Sequence, residues 1–546
     1  MGKKYSIGLD FGTLAARAVL VDIETGKEEA VSVFEYRDAV IESFLPGTDI
    51  ELPKDYALQN PKDYIEAVPT LLKDILAVSG VNAEDIIGIG VDATATTVIA
   101  LDENYEPLCF QEKFRDDPHS WIKLWKHHGA QPQADRFNHS ARTCNAAFLK
   151  RCGGKVSAEW FFPKLIETFE KSPEVFNAAS CFLELGDWIV YLLTGNICKS
   201  SALAAIHAGW NEEDGYPENA IFERIAPGIV PGIDRNREIP IVPVFSKAGN
   251  LSESMAEMTG LPVSTPVSAA ASDSPIALLS MGVADESTAV LILGTSSVLM
   301  ALSREESCIP GAMSCVKNQM MPRFVGNMFG QSAVGDVFGW FTDNMLPHEY
   351  YLKAEKNGET VFQLIDRYVS RLKPDDKNVM ALGWLNGSRC LQNSELSGLL
   401  VGLKLSTKPE EIYLAFIESI AFELKKMINS MNASGMNIGS VRACGGISRK
   451  SPVIMQILAD VLQLPVYTTQ SKETVGHGAA IMGAAAADSE PDAYKRVCKY
   501  VSSMKCGVSA CYRPDPDRRE VYERRFEKYL QLYSYFGEEN TGIMCN

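Results

Sequence analysis

No run of apolar residues in this chain reaches the roughly 20 residues that a membrane-spanning helix needs, so no membrane partner is expected. Positive charge is also in short supply. The 52 Lys and Arg stand against 69 Asp and Glu, a formal net charge of -17, which argues against nucleic acid or an anionic membrane as the main partner. Cys-x-x-Cys pairs are absent, and the thirteen cysteines are odd in number and scattered. That pattern implies no disulfide framework and predicts reduced thiols in a cytoplasmic protein. Low-complexity segments are missing, and behind Lys3 and Lys4 the sequence meets Asp10 before any secretory apolar stretch can form.

What the chain does have is enough apolar residues, 46% of 546, to bury more than one core. It also carries one short device twice. Tyr5-Ser6-Ile7-Gly8-Leu9-Asp10-Phe11-Gly12-Thr13 runs from an apolar strand into a Gly-Thr turn, and Arg17–Asp22 follows as a second strand. Half a chain later, Ala289–Leu293, Gly294-Thr295-Ser296 and Ser297–Met300 repeat the pattern. A tight hairpin with glycine at its corner lets backbone N–H groups and a hydroxyl approach an anion closely. Two such hairpins facing each other across a cleft would grip a polyphosphate from both sides. The expected architecture is therefore α/β and duplicated, with domains at 1–277 and 278–546.

The first stretch reads as successive strands ending at Asp10, at Asp22 and at Tyr36. Asn60-Pro61 then caps a helix running to about Val78, and strand Ile86–Val91 delivers Asp92-Ala93-Thr94-Ala95-Thr96-Thr97 at its carboxyl end. Residues 264–275 and the helix after them read as the passage between lobes. In the second half, helices are expected from Ala333 and Glu410, then a strand and Gly-Gly turn at Val441–Gly446.

Several constellations carry chemistry. Asp10, at a strand end beside Gly12 and Thr13, can hold Mg²⁺ through water next to a cradled phosphate. Asp273 is the single carboxylate in Ala269-Ala270-Ala271-Ser272-Asp273-Ser274-Pro275, and suits a general base for an alcohol nucleophile. Ser272 or Asp273 before Pro275 also suits a helix N-cap, and the two roles are compatible. Gly445 and Gly446, between a strand and a helix, offer bare backbone against which a flat adenine ring can pack. The segment Pro118-His119-Ser120-Trp121-Ile122-Lys123-Leu124-Trp125-Lys126-His127-His128 is dense in polar aromatics, which suits sugar stacking on a short amphipathic segment. Gly476–Gly483 reads as close helix packing, with His477 at the surface or lining a pocket.

Gly8–Thr13, Pro118–His128, Gly153–Trp160, Asp187–Val190, Gly330–Phe341, Thr407–Tyr413 and Cys444–Gly446 together carry a resemblance over essentially the whole length. The chain resembles the FGGY carbohydrate kinases, and within them the bacterial L-ribulokinases. The resemblance implies an actin/hexokinase-like (ribonuclease H-like) fold of two lobes with an interdomain cleft. It implies ATP and Mg²⁺ with a small sugar, in a homodimer, for arabinose catabolism. Asp10 then serves the metal–phosphate site and Asp273 is the catalytic base. Thr13, Gly294, Thr295 and Ser296 contact phosphates, Gly445 and Gly446 flank adenine, and the backbone of Ala95 lines the sugar pocket.

The sequence departs from the ribulokinase pattern at two substrate positions, and after the first Gly-Thr turn Leu14-Ala15 replaces the usual polar pair. His207 stands where the family has a substrate-binding Lys, and Met328 where it has a Glu. The expected reaction is transfer from ATP to a terminal hydroxyl of a ketopentose, L-ribulose first. The alternatives are another ketose or a polyol as acceptor, or a non-catalytic sugar- or nucleotide-binding regulator.

Overall fold

Strand Tyr5–Phe11 is apolar and buried except at Asp10, and it pairs on both sides. Ala15–Asp22 lies antiparallel to it, and Ile86–Ala93 lies parallel. This is a computed structural model, and it describes residues 2–306, 309–375 and 377–545. The first sheet continues outward through Glu28–Glu35 on one side and Pro266–Ser268 on the other, with Ala271–Ser272 pairing alongside Ile86–Ala93. Helix Pro61–Ser79 packs against it as expected. Asn60 caps its first turn through the Lys62 N–H, and Gly80 ends it in a left-handed conformation.

The second sheet repeats this plan. Thr288–Leu293 forms an antiparallel hairpin with Ser297–Ser303, and pairs in parallel with Ser440–Cys444, which pairs in parallel with Val466–Thr469. The duplicated hairpin of the sequence is thus a duplicated sheet topology.

The chain separates into two compact units. The first is Met1–Ala284, Val316–Val325 and Glu473–Lys505; the second is Asp285–Cys315, Gly326–Lys472 and Cys506–Asn546. Where the sequence suggested contiguous halves meeting at 277/278, the chain passes out of the first unit at Ala284 and returns to it twice. Residues 264–275 are no linker. They supply strands to the first sheet, and helix Asp273–Ser280 follows directly.

The returning helix, Thr474–Ala487, explains the small residues of Gly476–Gly483. It lies on the first sheet so closely that a Cβ on Gly90 would stand 1.7 Å from the Ala479 carbonyl oxygen. Ser6 Oγ donates to the Ala480 carbonyl at 2.7 Å. His477 is neither at the surface nor in a pocket: it is 1% exposed, with Nδ1 2.9 Å from Glu28 and Nε2 bonded to the Met504 carbonyl. Twelve cysteines are free thiols among the described residues.

Candidate functional site

Three carboxylates converge at the carboxyl end of the first sheet. Asp10 and Asp92 are register partners on parallel strands, and Ala271, two residues before Asp273, is the partner of Asp92 on its other side. The buried strands Tyr5–Phe11 and Ile86–Ala93 carry Asp10 and Asp92 as their penultimate residues, and Asp273 opens helix Asp273–Ser280. Asp92 is fully buried and neither of its oxygens meets a donor, whereas Asp10 and Asp273 keep partial access to solvent. Burial, and then the neighbouring carboxylates, push Asp10 and Asp92 well above the usual carboxylate range. Burial also raises Asp273, against the Ser274 amide, which donates to Oδ1 at 2.7 Å. Asp92 stood at a strand end in the sequence, but its pairing with Asp10 appears only once the two strands are in register.

Ala95 sits in the turn Thr94–Thr97 that follows Ile86–Ala93. The Thr94 N–H donates to the Phe11 carbonyl, and the hydroxyls of Thr94 and Thr97 bond at 2.9 Å. Thr96 holds φ at +51°, uncommon for a β-branched residue. Both of its backbone polar groups are gripped: its N–H donates to Glu184 Oε2 at 3.1 Å, and its carbonyl accepts from Lys164 Nζ at 2.7 Å. Lys164 has no exposure, and burial lowers its ammonium to about 7. Glu184 also lies 3.0 Å from Nδ1 of His207, and the Trp160 ring meets the imidazole edge-on. The sequence did not reveal Glu184 and Lys164, because neither belongs to a motif.

Thr13 lies at the hairpin corner. Its hydroxyl accepts from the Trp125 indole at 3.0 Å and its carbonyl from Gln59 at 2.9 Å, while the Gly12 N–H donates to Ala15. The rest of the Pro118–His128 segment departs from expectation. It is a 3₁₀ turn and a two-residue strand, not an amphipathic segment, and most of it is internal. Lys123 and His127 both reach Glu167 Oε2 at 2.8 Å, and all three are almost wholly buried. They form a buried ionic cluster rather than a surface for stacking sugars.

In the second unit, the Gly294 and Thr295 carbonyls accept from the N–H groups of Gly335 and Val334, so the turn Gly294-Thr295-Ser296 meets the start of helix Gly335–Met345. Gly445 has φ +96°, and a Cβ there would lie 2.3 Å from the Leu293 carbonyl oxygen. Its lack of a side chain is accounted for by that approach, whereas Gly446 faces open space. Met328 lies on strand Val325–Gln331, nearly buried, its carbonyl accepting from the Met313 N–H.

The N-terminal domain of the FGGY family of carbohydrate kinases matches residues 5–280, and the C-terminal domain of that family matches residues 289–487. The chain belongs to the FGGY family of carbohydrate kinases. It is 37% identical over 545 residues to a ribulokinase of Geobacillus thermodenitrificans, covering 100% of this chain and 96% of that one. A ribulokinase of Halalkalibacterium halodurans is 38% identical, with 100% and 97% covered. Two solved structures share the fold. A gluconate kinase from Lactobacillus acidophilus superposes with a TM-score of 0.81 at 18% identity over 99% of this chain and 100% of that chain. A xylulose kinase from Rhodospirillum rubrum gives 0.78 at 21%, over 98% and 99%. As an FGGY kinase, this protein transfers a phosphoryl group from ATP to a carbohydrate. No helix among the described residues is long and apolar enough to cross a membrane.

Proposed function

We propose that the acceptor is a ketopentose, ribulose first, phosphorylated on a terminal hydroxyl. The observation that carries the chemistry is the convergence of Asp10, Asp92 and Asp273 at neighbouring strand ends. The name shared by the full-length relatives supports the sugar.

In this reading Asp273 is the base. A carboxylate raised by burial holds a proton at a pH nearer neutrality, which suits general-base work on an alcohol. Ser274 donates to Oδ1, and the carboxylate takes the hydroxyl proton as the oxygen bonds to the γ-phosphorus and the bond from that phosphorus to ADP breaks. The Ala95 turn and His207 orient the sugar, so that the reacting hydroxyl stays beside Asp273. Gly12 and Thr13 of the first unit contact phosphates. In the second unit Gly294, Thr295 and Ser296 do the same, and Gly445 and Gly446 bear on adenine.

Mg²⁺ belongs to the same proposal. The donor set fits it: an all-oxygen cluster in which two fully buried oxygens of Asp92 meet no donor beside the Asp10 carboxylate. Asp10 and Asp92 would hold the ion, which supplies neutralisation of charge on the transferring phosphoryl group. A homodimer and a cytoplasmic location complete the reading as family-level inferences.

His207 favours a second reading, in which another ketose or a polyol is the acceptor. An imidazole tied to Glu184 offers the sugar one ring nitrogen where the ribulokinases offer an ammonium. An ADP-release assay with Mg-ATP against ketopentoses, ketohexoses, tetritols, ribitol and glycerol decides between them. L-Ribulose standing far above the rest upholds the ribulose reading. A different leading acceptor overturns it in favour of the second, and no turnover with any acceptor removes both.

A further inference from the structure

Glu184 lies outside every motif of the sequence, yet it touches both elements assigned to the sugar. It ends strand Cys181–Glu184, whose register sets it opposite Val98, just past the turn Thr94–Thr97. One carboxylate oxygen accepts the Thr96 N–H, and both lie within 3.1 Å of His207 Nδ1. It is 4% exposed, so water does not compete for these bonds. Lys164 closes the turn from the other side, through the Thr96 carbonyl. The strained backbone of Thr96 is therefore over-determined, as a strained residue must be to persist.

The chemistry of the contact fixes which His207 nitrogen is offered. A carboxylate can only accept, so Nδ1 must carry the hydrogen it shares with Glu184. In the neutral ring Nε2 is then an acceptor, able to take a hydrogen from a donor such as a sugar hydroxyl. We propose that Glu184 is a positioning residue that sets sugar specificity: it locks the Ala95 turn and fixes His207 with Nε2 as the atom presented to the acceptor. The inference rests on the sugar-kinase reading above, in which Ala95 and His207 face the sugar.

Glu184→Gln tests it. The amide can still accept from Thr96 through its oxygen, but its NH₂ group donates to His207 Nδ1, which drives the ring hydrogen to Nε2. The expected result is a rise of about tenfold or more in KM for L-ribulose with KM for ATP unchanged. In a His207→Ala background, the same substitution should change KM for L-ribulose by a smaller factor. Selective ¹⁵N-histidine spectra supply a readout that needs no sugar: His207 should carry its hydrogen on Nδ1 in the wild type and on Nε2 in Glu184→Gln. A sugar KM within about twofold of wild type, or equal shifts for sugar and ATP, overturns the proposal. So does a wild-type His207 without hydrogen on Nδ1, a result that stands even where the variant fails to fold. Should wild type prefer a sugar other than L-ribulose, the ribulose reading falls on its own, and the KM comparison is made with that sugar.

Discussion

Asp10 and Asp92 are register partners on adjacent parallel strands, so their side chains leave the same face of the sheet next to each other. Two neighbouring carboxylates of which one is fully buried repel each other, and a cation relieves that repulsion. Asp92→Asn keeps the volume but removes the carboxylate that a bound cation would hold in its ionised form. The half-saturating Mg²⁺ concentration for activity should rise, and Mn²⁺ bound to the nucleotide-free protein, read by electron paramagnetic resonance, should weaken several-fold. Unchanged Mn²⁺ affinity would show that Asp92 takes no part in the ion site.

Asp273→Asn keeps the Ser274 contact and removes the proton acceptor. kcat should fall by roughly 10²–10⁴, the range of a general base, while calorimetry shows binding of a non-hydrolysable ATP analogue unchanged. Retention of most of the activity would remove Asp273 from the role of base.

The double variant Met328→Glu, His207→Lys restores the ribulokinase side chains at both departures. kcat/KM for L-ribulose should increase. No change, or a fall, would argue that these two positions do not face the sugar.

The buried histidines predict acid lability. Burial lowers His127 to about 4 and His119 to about 2, against an ordinary value near 6.5. Below pH 6.5 the unfolded chain takes up protons that the folded one refuses, so the stability these rings lend at neutral pH is lost as pH falls from about 6.5 to 4. His127 donates from Nε2 to Glu167 and accepts at Nδ1 from the Ala57 N–H, which is the neutral pattern. His127→Gln should lower the Tm at pH 7 yet flatten its decline between pH 7 and 5. Parallel Tm curves for variant and wild type would contradict this.

Gly90→Ala should abolish soluble expression, because its Cβ would fall 1.7 Å from a backbone oxygen that cannot withdraw without lifting helix Thr474–Ala487 off the sheet. A soluble variant with wild-type Tm would mean that the helix can shift at little cost.

Much of this molecule is legible in its sequence. The hairpins Tyr5–Asp22 and Thr288–Ser303, helix Pro61–Ser79 and strand Ile86–Ala93 follow from local alternation, capping and glycine placement, which act over a few residues. Asp10 and Asp273 stand out because each is a lone charge in an apolar setting. What stays hidden depends on distant pairing. His127 bonds to Glu167, 40 residues on, and Glu184 meets Thr96 from 88 residues away, with no local pattern to announce either contact. The Pro118–His128 string shows the hazard, since Lys123 and His127, read as part of a sugar-binding surface, turn inward to Glu167.

Helix Thr474–Ala487 covers the glycine-bearing strands Tyr5–Phe11 and Ile86–Ala93, although it emerges near the other end of the chain. On a ribosome adding roughly 5–20 residues per second, the interval between Ala284 and Glu473 lasts on the order of ten to forty seconds. Throughout it the first sheet must wait with that face bare. The nascent protein is therefore most exposed to aggregation and to chaperones before its last tenth is made, and a gene fragment ending at Ala284 would remain in that state permanently.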